Sequence, residues 1–204
     1  RKIELTEAGS LLLPYVKNVV EQYHAMQEVL ETYTQENNLS LNILTIPTMI
    51  NYQGFSKITE FLKHHPEFTV QLKEVESIEL TYDDTNEHSD TIHFARSFQA
   101  PPSSIEWLPT ETDDFVAVLP KNHPLASKKK LDLSELKKEN FLVLGPTTNL
   151  YQPVLDLCRE AGFEPRISYK GSRTDLIINM IANDMGIAIV MEKTVKNLLK
   201  ENTV

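Results

Sequence analysis

The first part of the chain carries a single helical pattern of apolar positions. A helix is predicted to begin at Thr6, whose hydroxyl can cap the free N–H groups of its first turn, and to end near Gln35. Apolar residues recur along it at alternating spacings of four and three. They are Leu12, Val16, Val19, Tyr23, Met26, Leu30 and Tyr33. This heptad pattern is typical of a coiled coil, so we predict a dimerisation helix, with a surface helix packed on its own domain as the alternative.

Beyond Asn38 the pattern changes to short apolar runs separated by amphipathic stretches. Strands are predicted at 39–46, 68–75, 91–95, 115–119, 141–144, 167–169 and 187–190. Helices are predicted at 50–64, 77–82, 150–161, 174–183 and 192–199, with a short one from Ser134. Alternating strands and helices favour an α/β fold of parallel sheets covered by helices. We expect two such units, joined by strands that cross near 113–115 and 190, with a cleft between them.

Small polar side chains stand at or near the helix starts that follow several predicted strands. They are Thr48, Ser77, Thr147, Thr148, Asn149 and Thr174. Because the first N–H groups of a helix are unpaired and its dipole is positive there, these positions suit an anion such as a carboxylate. Arg96, at the end of the third strand, could bind the same carboxylate through two hydrogen bonds. Ordinary helix caps and a solvated arginine are the alternative interpretation.

Composition narrows the class of protein. The 204 residues are 41% apolar and 24% charged, which is ordinary for a globular chain, and no apolar run is long enough to span a membrane. The formal net charge of −9 argues against DNA binding by this region alone, since domains that bind phosphates are usually basic. Cys158 is the single cysteine, which excludes an internal disulfide framework. We therefore expect a cytoplasmic protein.

Signatures of catalysis are weak throughout the sequence. The adjacent His64 and His65 cannot form one helical metal-binding face, and the loose group of Glu87, His88 and His93 lacks further ligands. The sequence contains no glycine-rich phosphate loop and no nucleophile elbow. We therefore expect no enzymatic activity, no bound metal and no cofactor.

Three segments, in this order, resemble LysR-type transcriptional regulators. Leu5-Thr6-Glu7-Ala8-Gly9 before the heptad helix is similar to the family's junction between the winged helix-turn-helix and the linker helix. Strand 116–119 with the following Pro120-Lys121-Asn122-His123-Pro124-Leu125-Ala126 resembles a characteristic segment of the family's regulatory domain. Gly186-Ile187-Ala188-Ile189-Val190 is similar to a late strand of that domain.

The resemblance implies a regulatory domain of two Rossmann-like subdomains, as in type 2 periplasmic binding proteins, preceded by a long linker helix. Residues 1–5 would end the wing of a largely absent DNA-binding domain, and 6–37 would form the linker helix. Subdomain 1 would comprise 39–113 with 191–204, and subdomain 2 would comprise 114–190.

The resemblance also implies a function and partners. A small anionic effector would bind in the cleft between the subdomains and control transcription, with the chain assembled as a homodimer or homotetramer and promoter DNA bound by the N-terminal domain. The polar residues named above, together with Arg96, match the family's cleft positions. A solute-binding protein of a transport system is the alternative, and the coiled-coil helix argues against it.

Overall fold

The computed structural model describes residues 5–35, 39–80, 91–98, 106–199, 201 and 203–204, with the backbone alone for 30–35. Several features predicted from the sequence lie outside this part of the chain. They are residues 1–4 of the wing, the side chains of Leu30 and Tyr33 in the heptad pattern, and Glu87 and His88.

The predicted N-terminal helix is confirmed as α1, Glu7–Gln35. Thr6 caps it as expected, because its Oγ1 accepts a hydrogen bond of 3.1 Å from the N–H of Gly9. The five described heptad residues, from Leu12 to Met26, are each 52% to 69% exposed. None of the described side chains of α1 is buried. A helix packed on its own domain would bury an apolar stripe, so the structure does not support that alternative.

The first sheet is parallel and has the strand order β2-β1-β3. Its strands are β1 (Leu39–Thr45), β2 (Phe68–Glu74) and β3 (Thr91–Phe94). The central strand β1 buries Ile43 and Thr45. A 3-10 turn at Met49–Asn51 leads into α2, Gln53–His64, which connects β1 to β2. Because the strands are parallel, the segments that follow them leave the sheet along the same edge.

The remaining strands form two pairs that meet at Ile187. β4 (Phe115–Val118) pairs antiparallel with β7 (Ala188–Met191), and β5 (Asn140–Leu144) pairs parallel with β6 (Arg166–Gly171). The N–H of Leu142 donates to the Ile187 carbonyl at 2.8 Å, and the N–H of Ile187 donates to the Asn140 carbonyl at 2.9 Å. Three helices complete this part of the chain. They are α3 (Tyr151–Glu160), α4 (Thr174–Ile181) and the short α5 (Glu192–Val195).

Strand β5 is buried on both faces, since successive side chains of a strand point in opposite directions. Phe141 and Val143 pack in one apolar cluster with Cys158 of α3. Leu142 and Leu144 pack in a second cluster with residues of α4. The uninterrupted apolar run of β5 is therefore the sequence signature of a strand that separates two helical layers.

Gly186 allows β7 to approach β5. Its φ is +150°, and a Cβ at this position would lie 2.4 Å from the carbonyl oxygen of Asn140. Both the conformation and the lack of space require glycine here, which gives a physical reason for the glycine in the segment 186–190.

Three predicted features differ from the structure. The described part of the predicted helix 77–82 is a turn, in which the N–H of Glu79 donates to the Glu76 carbonyl at 2.9 Å. The predicted helix 192–199 is shorter, since α5 ends at Val195. The pair β4–β7 is antiparallel, whereas the alternation of strands and helices predicted parallel sheets.

The last residues of the chain pair with the end of β4. The N–H of Leu119 donates to the Val204 carbonyl at 2.8 Å, and the N–H of Val204 donates back at 3.0 Å. Val195 packs in the same apolar cluster as Ile177 of α4. These contacts join Val195 and residues 203–204 to the second predicted subdomain, whereas the sequence assigned 191–204 to the first. The subdomain bounds as a whole stay a prediction.

Candidate functional site

A small cavity lies beside the segments that follow β1, β2, β3, β5 and β6. Its volume is about 40 Å³. Its polar lining consists of Thr48, Glu76, Ser77, Arg96, Thr148, Ser172, Thr174 and Thr194. Its apolar lining includes Ile46, Leu144, Leu150, Val190 and Met191. Strand ends that are far apart in the sequence thus surround one space with both polar and apolar lining, which is the usual place for a ligand in α/β folds.

Five of the seven predicted effector contacts line this cavity. They are Thr48, Ser77, Arg96, Thr148 and Thr174. The hydroxyl of Thr48 makes no capping hydrogen bond, although the residue stands at the cap position of a 3-10 turn. Thr174 is the first residue of α4, and Arg173 occupies its cap position. Ordinary helix capping therefore does not account for these two threonines, whose contact with an effector stays a prediction.

The other two predicted residues lie beside the cavity rather than in it. Thr147 is exposed, and its carbonyl accepts a hydrogen bond of 3.4 Å from the N–H of Ile78. The side-chain amide of Asn149 donates to the Arg96 carbonyl at 3.0 Å. These bonds connect the loop after β5 to the segments that follow β2 and β3, so they hold the two sides of the cavity together.

Arg96 is held from one side by Tyr52. Its Nη2 donates to the Tyr52 hydroxyl at 2.5 Å, and that hydroxyl donates to Oδ2 of Asp113 at 2.7 Å. Burial raises the pKa of Tyr52, and the charge of Arg96 opposes this effect. The Nε of Arg96 is buried and has no hydrogen-bond partner among the described residues. A ligand oxygen could satisfy this donor, since a buried N–H left unpaired is costly.

Glu76 also lines this cavity and is partly buried. Burial raises its pKa, and the negative charge of Glu79 raises it further. No ion pair within the described part of the chain includes Glu76. The cavity thus contains one cation, Arg96, and one anion, which do not neutralise each other.

Three polar lining residues were missed from the sequence. Ser172 follows β6, so the rule that selected Thr48 and Ser77 could have found it. Glu76 follows β2, but an acidic side chain falls outside that rule. Thr194 had no such signal, because it lies inside a predicted helix and reaches the cavity only through the packing of α5.

Most of the chain matches one protein family. Residues 34–204 match the family model of the LysR substrate binding domain. The chain belongs to this family. The resemblance inferred from the sequence is confirmed by this match.

Curated relatives of this LysR-family chain are transcriptional regulators. The "Transcriptional dual regulator GltC" of Bacillus subtilis is 25% identical over 195 residues, which cover 95% of this chain and 64% of GltC. The chain therefore spans slightly less than two thirds of the length of that relative.

Solved structures of the same family share the fold. The regulatory domain of CcmR from Synechocystis, in complex with 2-PG, is 20% identical, with a TM-score of 0.67 over 81% of this chain and 78% of that one. The effector-binding domain of QuiR, in complex with shikimate, is 23% identical, with a TM-score of 0.63 over 76% and 74%. The predicted architecture, two α/β subdomains as in type 2 periplasmic binding proteins behind a long helix, is confirmed.

In this LysR-family chain, the segment 111–114 before β4 is tied to elements on both sides. Asp113 Oδ1 accepts a hydrogen bond of 3.1 Å from the N–H of Lys193, at the start of α5. Glu111 pairs with the ammonium group of Lys193, which raises the pKa of that lysine, and it also accepts the N–H of Gln53. Together with the bond from Tyr52 to Asp113, these contacts link the cavity to the crossing segment.

Other kinds of site find little support among the described residues. Cys158 is fully buried, and burial, assisted by the charge of Glu164, raises its pKa to about 11, which disfavours a reactive thiolate. No three His, Cys, Asp or Glu side chains of the described residues are grouped so that they could hold a metal ion. No helix within the described ranges has both the length and the apolarity needed to cross a membrane.

Proposed function

We propose that this chain is the effector-sensing and oligomerising region of a LysR-type bacterial transcriptional regulator. A small anionic metabolite binds in the cavity between subdomain 1 and subdomain 2 and controls DNA binding and transcription. Copies of the chain associate through the linker helix, 6–37, as a dimer or tetramer. Promoter DNA is bound by an N-terminal domain, whose wing ends at residues 1–5.

The observation that carries this proposal is the polar cavity at the strand ends, with Arg96 in its wall. The buried Nε of Arg96 lacks a partner among the described residues, and the hydroxyls of Thr48, Thr148 and Thr174 line the same space. A carboxylate would satisfy the guanidinium and the hydroxyls together. The relatives CcmR and QuiR, solved with 2-PG and shikimate, support a small anionic ligand.

The volume of about 40 Å³ suggests how binding is coupled to movement. It holds little more than one or two water molecules, so a metabolite must separate the walls of the cavity. The effector then changes the arrangement of the two subdomains by its difference in affinity for the open and closed forms. An effector that bound both forms equally would have no effect on transcription.

Thermal unfolding against a library of small carboxylates tests the proposal. A ligand that binds the native chain raises the unfolding midpoint in proportion to the logarithm of its concentration over its dissociation constant. We expect Thr48→Ala to reduce this shift. Thr110→Ala is the matched control, since Thr110 is exposed and does not line the cavity. Failure of every compound to stabilise a well-folded chain would contradict the sensing function.

The alternative of a solute-binding protein for transport is not favoured. The matched relatives are transcriptional regulators, and the exposed heptad face of α1 has no use in a monomeric carrier of solutes.

A further inference from the structure

We infer that the effector is an α-amino acid, bound through its carboxylate at Arg96 and through its ammonium group at Glu76. This inference rests on the proposed sensing function and names the chemical class of its ligand. It goes beyond a simple anion because the cavity presents two opposite charges.

The strand order separates these two charges by a suitable distance. Glu76 follows β2 and Arg96 follows β3, and these strands flank β1 on opposite sides. Neighbouring strands lie about 4.8 Å apart, so the two backbones are roughly 10 Å apart at the sheet edge. Thr48 follows the central strand and stands between them. The proposed ligand requires the two side chains to reach towards each other, since an α-amino acid carries both charged groups on one carbon.

Neither charge is neutralised within the cavity. Arg96 uses one nitrogen on Tyr52 and keeps its buried Nε unpaired among the described residues. Glu76 forms no ion pair with a described residue, and the nearest charge that acts on it is the negative Glu79. A ligand with an ammonium group would supply the missing partner. A carboxylate ligand without an ammonium group would use only Arg96 of the two charged residues and would leave Glu76 without a partner.

The remaining lining suits the same ligand. The hydroxyls of Ser77, Thr148 and Thr174 can donate to a carboxylate or accept from an ammonium group.

The test compares matched ligands on the full chain. Thermal shifts would be measured with the small proteinogenic amino acids, and for each with the 2-hydroxy acid that lacks the ammonium group and the amine that lacks the carboxylate. We expect at least one amino acid to raise the unfolding midpoint, and its 2-hydroxy acid and amine each to bind at least tenfold more weakly.

The variant Glu76→Gln separates charge from shape. The amide keeps the size of the side chain but cannot pair with an ammonium group, so we expect at least a tenfold loss of affinity for the amino acid and no loss for its 2-hydroxy acid. Glu74→Gln, at the exposed end of β2, is the matched control and should bind as the parent does. The unfolding midpoint of each variant without ligand shows that it is folded.

The outcomes distinguish this inference from the function on which it rests. Stabilisation by 2-hydroxy acids or dicarboxylates, without stabilisation by any amino acid, overturns the inference and leaves the sensing function standing. Equal affinity of Glu76→Gln and parent for the amino acid also overturns it. Stabilisation by no compound of any series contradicts both.

Discussion

Glu76 carries a negative charge in a partly buried position and forms no ion pair with a described residue. Its pKa is raised by burial and by the charge of Glu79. Such a group destabilises the ligand-free fold at neutral pH, which is common where side chains are positioned for binding rather than for stability.

Removal of this charge is expected to stabilise the ligand-free chain. Because the folded state has the higher carboxyl pKa, the stability that the protonated form provides is complete below the ordinary pKa of about 4.3 and is lost as the pH rises through the raised value. Glu76→Gln should therefore raise the unfolding midpoint by roughly 1–3 °C at pH 7.5. Its advantage should disappear near pH 4.

Calorimetry at both pH values, with Glu74→Gln beside it, checks this expectation. A gain that is equal at pH 4 and pH 7.5 would mean that the charge of Glu76 is not its cause. A loss of stability at pH 7.5 would mean that Glu76 has a favourable partner.

For single residues, the sequence predicted the position in the fold better than the direction of the side chain. Thr48, Ser77 and Arg96 line one cavity, because the carboxyl ends of parallel strands meet at one edge of a sheet, and their contact with an effector stays a prediction. Thr147 was placed in the right loop, but its side chain is exposed. The direction of a side chain in a turn depends on backbone angles that residue spacing does not specify. Glu76 was missed because acidic residues are usually solvated.

At the scale of elements, the hydroxyl of Tyr52 connects the start of α2, the end of β3 and the crossing segment 111–114. Tyr52 precedes α2, Arg96 follows β3, and Asp113 lies in the crossing segment. The tyrosine is buried, so its hydroxyl joins a cation and an anion away from water. The bond from Asp113 to the N–H of Lys193 extends the connection to α5.

Tyr52→Phe removes this common point while it preserves the packing of the ring. Arg96 and Asp113 would each lose a hydrogen bond, so we expect a loss of about 1–3 kcal/mol in the free energy of unfolding. Denaturant titration measures it. Tyr151→Phe is the matched control, because its hydroxyl accepts a bond from Lys170 at 2.9 Å in an exposed place and should cost less than about 0.5 kcal/mol. Equal losses of unfolding free energy in the two variants would mean that the hydroxyl of Tyr52 has no special role in stability.

The elements themselves were predictable where their pattern was local. The heptad spacing indicated α1, and the apolar run of β5 indicated a strand buried on both faces. The antiparallel pairing of β4 with β7 was not predicted, because its two strands are far apart in sequence and nothing local specifies their register. Residues 77–80 form a turn rather than the predicted helix, and only one i to i+3 hydrogen bond is described there.

At the scale of the whole molecule, α1 carries more exposed large apolar residues than any other described element. Its heptad residues are exposed along the described helix, and an isolated helix of this kind gains little stability from its own sequence. A second copy that packs on the heptad face would bury these residues and fix the orientation of two sensing regions.

Charged substitutions in the heptad face are expected to dissociate the assembly. The double variant Val16→Glu, Val19→Glu places repelling charges at adjacent seam positions, and sedimentation equilibrium should show a shift towards monomer of at least tenfold in the dissociation constant. Leu11→Glu is the matched control, since this exposed apolar residue lies outside the seam. Equal dissociation by both would mean that α1 associates without a heptad seam.

The unfolding midpoint of the sheets should change little in the seam variant, because no described side chain of α1 is buried. The sequence predicted this division between a projecting helix and an α/β body, since the two parts have different periodicities. It did not predict that 203–204 pair with the end of β4, because that contact joins segments without a distinctive pattern.

The double use of Arg96 has a consequence for how tightly any signal can be bound. A ligand carboxylate that bonds both Nε and Nη2 competes with Tyr52 for Nη2, so its affinity is lower than its own contacts would allow. The affinity lost in this competition is the free energy that ligand binding transfers to Tyr52 and, through Asp113, to the crossing segment. No ligand atom touches that segment. A higher affinity for the ligand is therefore coupled to a smaller response. Variants that release Arg96 from Tyr52 would bind the ligand at lower concentration, and binding would have a smaller effect on the crossing segment.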